Sequence, residues 1–341
     1  MNDLRWEHRE MSVQAYSPFR ANLITPSDLR RLNEIRPWVP VLATVVHWTL
    51  IVAAWTMVAL WPSFATVVLA FFVVGVNFYG LYIIMHDGLH RRLFRSVTLN
   101  DLWNDLTMTA SIGAITRINR RNHMTHHHST CLADDPDRFK YVHEGKDVVI
   151  PFMAFLSGVS PLVTAVRNVF FKRSPQSVAS PIEPSERYRL RDILLLAAWQ
   201  LVLIGGLSYS IGAWAYPCLW LAPTYALAYR ADLVRVFCEH SMMIADEDAD
   251  SSMRLITYES NWFEKLFFAP HNMNYHMAHH LWPSIPYYNL PEADRLIRAS
   301  EIARKGDTRL VWRKSYVGYL ISYANWRRSN AAIVMPEQSH A

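Results

Sequence analysis

The sequence predicts an all-α membrane protein: two transmembrane helical hairpins, four spans in all, with a cytosolic helical cap that carries clustered histidines. Three observations lead there. The chain holds two pairs of long uncharged apolar runs, its basic residues avoid the turns within those pairs, and 11 of its 15 histidines fall in or beside clusters at helical spacing. The composition agrees: 51% of the 341 residues are hydrophobic, with 13 Trp, 16 Tyr and 15 Phe, which is rich for a soluble fold.

Residues 1–37 read as a cytosolic N-terminal arm. The opening MNDLRWEHREMSVQAYSPFR carries acidic residues and has no continuous apolar core behind a basic start, so it does not read as a signal peptide. Ser27–Glu34, SDLRRLNE, offers an N-cap serine and then mixed charge, which predicts a short helix at the membrane surface. Trp38–Trp61 is a 24-residue run free of Asp, Glu, Lys and Arg, and Phe64–Met85 is a second of 22, each long enough to span. Pro62 and Ser63 separate them. His47, alone in the first run with no second histidine one turn away, reads as a neutral, hydrogen-bonded core residue. The second run leads into His86 and His90, four apart, on a helix leaving the bilayer.

A second pair of runs, Ile193–Ile211 and Ala213–Tyr229, has 19 and 17 residues around Gly212 and passes into RADLVRVFCEH, which projects His240 about three turns further. Of 34 Lys and Arg, six precede the first run, 14 lie between His86 and Arg189, and 13 follow Tyr229. The positive-inside tendency then puts both termini and every histidine cluster on the cytoplasmic side. Val148–Val166 is also uncharged, but its Pro151, Ser157, Gly158, Ser160 and Pro161 predict a segment in the interface and not a fifth crossing. These boundaries make 38–291 the membrane domain and 292–341 a cytosolic C-terminal segment.

The clusters carry the chemistry. His123, His126 and His127 in NHMTHHHST, and His276, His279 and His280 in YHMAHH, repeat the spacing i, i+3, i+4 that aims imidazoles from one helical turn at one point. With His86, His90 and His240 they supply nine imidazoles, whereas a tetrahedral zinc takes at most four protein ligands. Nine ligands suit two metals. All-nitrogen ligation accommodates iron, zinc or copper, so ligand type alone does not choose among them. Cys131, Cys218 and Cys238 form no CxxC pair, which excludes a cysteine-ligated cluster and a disulfide framework as the organising device. The net charge of +5 lies beside apolar runs, so membrane topology accounts for it and nucleic acid is not a predicted partner.

HDGLH, HMTHH and YHMAHHLWPSIPYYNLP, in that order and with two apolar hairpins between them, resemble the histidine boxes HxxxH, HxxHH and HxxHH of the integral-membrane fatty acid desaturases and their hydroxylase relatives. The resemblance covers about Trp38 to Pro291. It implies a non-haem centre of two iron ions held by His86, His90, His123, His126, His127, His276, His279 and His280, with His240 in the place of an additional ligand before the third box. It also implies dioxygen-dependent removal of two hydrogens from an unactivated carbon pair. Trp282, Tyr287 and Tyr288 are expected to wall the site from water.

The pattern departs from the family in one place. Acyl-CoA desaturases carry an asparagine one turn before the additional histidine, in contact with a metal-bound water; Val236 stands here, leaving Asn272 or Asn274 as substitutes. His128 and His271 fall outside the ligand spacing and are candidates to support the ligands by hydrogen bonds. Asp135 and Asp137, in the DPD that follows the second box, and Asp87 and Glu239, each beside a ligand histidine, are candidates to accept the outer N–H of ligand imidazoles.

Each turnover needs two external electrons, and the chain shows no GxGxxG loop, iron–sulfur spacing or HPGG haem signature. A separate donor of ferredoxin or cytochrome b5 type is therefore implied. Arg91, Arg92 and Arg95, with Arg117, Arg120 and Arg121, would attract an acidic donor or equally anionic lipid headgroups. The leading expectation is a desaturase acting on a fatty acyl chain. The alternatives are a hydroxylase or ketolase with the same centre, a desaturase of a small non-lipid metabolite, and, more remotely, a non-catalytic membrane metal-binding protein.

Overall fold

A proline and a serine turn the chain between its two longest helices. The computed structural model describes residues 17–130, 135–137, 140–141, 188–241, 255–307 and 309–333. Before the hairpin come α1 (Ser17–Ala21) and α2 (Pro26–Leu32). The N-cap of α2 is Thr25 and not Ser27: its hydroxyl accepts from the Asp28 amide at 3.2 Å, and Pro26 occupies the first helical position, where its missing N–H costs nothing.

The hairpin is α3 (Trp38–Leu60) and α4 (Phe64–Leu89). Ser63 caps α4 in a reciprocal box, accepting from the Thr66 amide at 3.1 Å while Thr66 Oγ1 accepts from the Ser63 amide at 3.0 Å. Leu42, Val45, Val46, Leu50 and Val52 leave an apolar face of α3 exposed, as a lipid-facing helix requires. Helix α4 is the buried axis: from Asn77 to Leu89 only Tyr82 is not fully buried. The apolar run expected to end at Met85 thus continues as helix through His86.

After the turn come α5 (Val97–Asn104), a wide turn at Asp105–Thr109, and α6 (Thr116–Ser129), which carries the second histidine cluster. Helix α7 (Leu190–Ser210) is apolar and largely exposed. Three helices, α3, α4 and α7, are long and apolar enough to cross a membrane, with mean hydropathies of 1.8, 2.3 and 1.8. The fourth expected span is helical but irregular. Pro217 and Pro223 each remove a backbone donor, and the chain passes through π-helical stretches at Pro217–Leu221 and Thr224–Tyr229 before α8 (Arg230–His240). Indole rings tie the two hairpins together: Trp48 stacks on Trp199 at 5.4 Å and on Trp220 at 5.8 Å, and Trp55 Nε1 donates to the Leu219 carbonyl at 3.1 Å. Gly75 lets Leu227 approach α4, since a Cβ there would meet Leu227 Cδ1 at 2.6 Å.

The remaining elements are β1 (Leu255–Tyr258), α9 (Trp262–Phe267), α10 (His276–Leu281), α11 (Leu290–Ala299), α12 (Glu301–Arg304), β2 (Leu310–Arg313) and α13 (Tyr316–Ile333). The strands pair in parallel, from Leu255 with Leu310 to Tyr258 with Arg313, so the fold is mostly helical but not all-α. This pairing builds the C-terminal segment into the frame that holds α10. The segment Val148–Val166 lies outside the described residues.

Candidate metal centre

The C-terminal end of α4 presents the first two histidines, and three side chains from later in the chain fix that end. The last carbonyls of a helix lack intrahelical donors. Here Asn104 Nδ2 donates to the Met85 carbonyl at 3.2 Å, Asn100 Nδ2 to Gly88 at 2.9 Å, and Arg120 to Leu89 at 2.6 Å and Gly88 at 3.0 Å. Asp101 pairs with the Arg120 guanidinium. Gly88 permits the approach, because a Cβ would stand 2.4 Å from the Asn104 amide carbon. Arg120 is therefore engaged with the helix end and is not a surface cation awaiting a partner; Arg117 likewise pairs with Asp192 at 3.0 Å.

Onto this end converge α6, the tail of α8 and α10. The structure brings the nine histidines together in two adjoining groups. In the first, one nitrogen from each of His86, His90, His123, His127 and His279 lies within 4.8 Å of the others. In the second, His126, His240 and His280 meet the same limit, and His276 joins them with its Nε2 at 2.9 Å from His240 Nε2. The groups touch where the His127 and His280 rings lie 4.3 Å apart.

Close approaches within the groups are between Nε2 atoms: His90 to His123 at 2.8 Å, His127 to His123 at 3.0 Å and His279 to His127 at 3.1 Å. Adjacent ligands at right angles around one ion, each about 2.05 Å from it, stand about 2.9 Å apart, so this spacing suits shared coordination. His280 Nε2 is buried with no hydrogen-bond partner, which is costly without a ligand to fill the role. Burial, followed by neighbouring cationic groups, chiefly other imidazoles, holds His90, His127, His240, His276, His279 and His280 well below the ordinary histidine range. Burial lowers His123 to about 3. These rings are neutral, the form that offers a lone pair to a metal. The residues present thus fit two imidazole-ligated ions.

Carboxylates support the second group. Both Asp135 oxygens lie 3.0 Å from His126 Nδ1, and Asp135 also accepts from the Asp137 amide at 2.8 Å and from Tyr141 OH. Glu239 Oε2 lies 3.3 Å from His276 Nδ1, within ion-pair distance but not aligned as a hydrogen bond. It accepts from Arg235 at 2.8 Å and from Tyr316 OH at 2.8 Å. Burial pushes Glu239 up to about 8, against the pull of Arg235.

The other candidates serve elsewhere. Asp87 accepts from the Tyr287 amide at 2.8 Å, fastening the segment after the third cluster to the first instead of orienting an imidazole. Asp137 pairs with Lys140 at 3.1 Å. Asn272 and Asn274 donate to the carbonyls of Tyr287 at 3.4 Å and Tyr258 at 2.7 Å, so their amide groups serve the main chain. His128 is exposed, and His271 bonds to His47 away from both groups. Sequence reasoning missed Arg235, which is buried and bonded to Tyr79 OH at 3.0 Å, to Asp232 at 2.9 Å and to Glu239. The spacing Asp232, Arg235, Glu239 on one helical face was the available signal.

Residues 62–313 match the family model described as fatty acid desaturase, nearly three quarters of the chain. The chain belongs to the fatty acid desaturase family. Among similar family members, an sn-1 acyl-lipid omega-3 desaturase (ferredoxin) of Nostoc sp. (strain 36) is 26% identical over 239 residues, covering 66% of this chain and 65% of its own length. An sn-1 oleoyl-lipid 12-desaturase of Arthrospira platensis is 23% identical over 300 residues, covering 83% of this chain and 82% of its own length. A dihydrorhizobitoxine desaturase of Bradyrhizobium elkanii is 24% identical over 254 residues, with 72% of each chain covered. This desaturase-family chain therefore spans just under two thirds of the first relative and more of the other two.

Proposed function

We propose that the protein is a membrane-bound oxidoreductase that uses dioxygen and two iron ions to introduce a double bond into a lipid-linked acyl chain. The observation that carries this reading is the pair of adjoining neutral imidazole groups at the end of an apolar hairpin, in a chain of the desaturase family. His86, His90, His123, His127 and His279 would hold one ion, and His126, His240, His276 and His280 the other. When bound, the iron pair supplies dioxygen reduction and hydrogen removal: the substrate loses two hydrogens, and with two electrons and two protons from outside, dioxygen leaves as two waters. The chain's own residues keep the site in order. Asp135 holds the His126 ring, and the buried Trp282 and Tyr287 beside α10 keep bulk water out.

Four spans, with both termini and the histidines facing the cytoplasm, place the centre at the membrane surface where an acyl chain arrives. The electrons come from a separate protein, which two relatives named as ferredoxin desaturases make a ferredoxin first. The exposed Arg91 and Arg95 are the cations beside the first cluster best placed to meet an acidic donor. A second reading, desaturation of a small metabolite, is favoured by the dihydrorhizobitoxine desaturase among the relatives. Expression in a host lacking the activity, with mass spectrometry of lipid and polar fractions, separates them. A new double bond in lipid acyl chains supports the first reading, one in a polar metabolite the second, and a new hydroxyl or keto group would replace desaturation by oxygenation.

A further inference from the structure

Outside the two histidine groups, the structure holds one more pair of imidazoles in contact. His47, in the apolar helix α3, lies with Nε2 2.7 Å from His271 Nε2 and Nδ1 2.9 Å from Asn77 Oδ1. The protons in this chain can be assigned. Asn77 Nδ2 donates to the Val73 carbonyl at 2.8 Å, which turns Oδ1 toward His47, so His47 carries its proton on Nδ1. His47 Nε2 is then an acceptor, and His271 must donate to it.

Three features make room for this contact. Helix α4 carries glycine at position 80, where a Cβ would stand 2.3 Å from His47 Cε1, so the ring occupies a notch in the neighbouring helix. His271 and Asn272 both have positive φ, 53° and 63°, a conformation that non-glycine residues hold only when their surroundings require it. The His271 ring also rests on Tyr287 at 4.9 Å, and the Tyr287 amide donates to Asp87, next to His86. Residues 271–275 are the lead into α10, which presents His276, His279 and His280.

We propose that His47 is a positioning residue for the metal centre: through its bond to His271 it fixes the path of the loop that delivers the third histidine cluster. A side chain inside a membrane-crossing helix thus sets ligand geometry outside it. The inference rests on the metal-centre reading above.

The test uses side-chain reach. Glutamine can place Oε1 where His47 Nε2 stands, whereas asparagine reaches only the Nδ1 position. Purified full-length wild type, His47→Gln, His47→Asn and Gly80→Ala are stripped of metal, checked for monodispersity and titrated with cobalt(II), reading affinity and visible spectrum. Gly80→Ala crowds the ring without removing a polar group, so it tests the contact even if the asparagine variant fails to fold. Wild type and His47→Gln are expected to behave alike, with His47→Asn and Gly80→Ala binding about tenfold more weakly and with changed spectra. Wild-type behaviour in both of the latter variants, or a His47→Gln variant as weak as His47→Asn, overturns the proposal. Failure of the wild type itself to bind cobalt would instead overturn the metal-centre reading, a distinguishable result.

Discussion

Removing the Asp135 carboxylate should weaken one metal position and leave the other near normal. Asp135 takes three donors on two oxygens: His126 Nδ1 at 3.0 Å, the Asp137 amide at 2.8 Å, and Tyr141 OH. In Asp135→Asn the amide can still accept from His126 and Asp137 while its NH2 faces Tyr141, so the shape persists and the charge is lost. A charge-assisted hydrogen bond contributes about 1.5–3 kcal/mol and a neutral one about 0.5–1.5 kcal/mol, a difference of about 1–1.5 kcal/mol or roughly tenfold in affinity. Asp135→Ala removes all three contacts and frees the His126 ring, so its loss should approach about 100-fold. Anaerobic iron(II) titration of metal-free protein against a competing chelator measures both. The expected isotherm has two steps, with only the step assigned to His126, His240, His276 and His280 displaced. Unchanged affinity in both variants, or equal displacement of both steps, would refute the role given to Asp135.

Other outcomes follow from the same geometry. His279→Ala should cut product formation by orders of magnitude and lower bound iron, while exposed His128→Ala should do neither; iron analysis beside product assay checks both. Arg120→Ala removes the donors to the Leu89 and Gly88 carbonyls and should lower stability by about 1–3 kcal/mol, read as a drop in thermal midpoint in detergent. Reconstituted protein with substrate and dioxygen should turn over repeatedly only with an added ferredoxin or cytochrome b5 system. Sustained turnover with NAD(P)H alone would mean that the chain holds a redox site of its own.

The parts legible in the sequence were those with a local period. Uncharged runs gave α3, α4 and α7 almost to the residue, because length and apolarity are properties of one segment. Histidines at i, i+3 and i+4 were legible for the same reason. Partners distant in the chain were not: nothing in the local pattern pairs Asn100, Asn104 and Arg120 with the end of α4, or β1 with β2, or His47 with His271 across 224 positions. Asp87 misled for a related reason. Adjacency to His86 in sequence suggested an imidazole partner, but successive helical residues face about 100° apart, and its carboxylate meets Tyr287 instead.

The π-helical stretches ahead of α8 have a consequence for the chain's tolerance of length change. A π turn holds one residue more than an α turn, and each residue in a helix corresponds to about 100° of rotation, so the two stretches at Pro217–Leu221 and Thr224–Tyr229 set the azimuth at which Arg235, Glu239 and His240 emerge. Deleting a single residue there would let the turn revert to α geometry and swing all three side chains together, by about a quarter turn, out of the frame they share with α10. Substitution in this stretch changes a contact; a one-residue deletion re-aims a metal ligand.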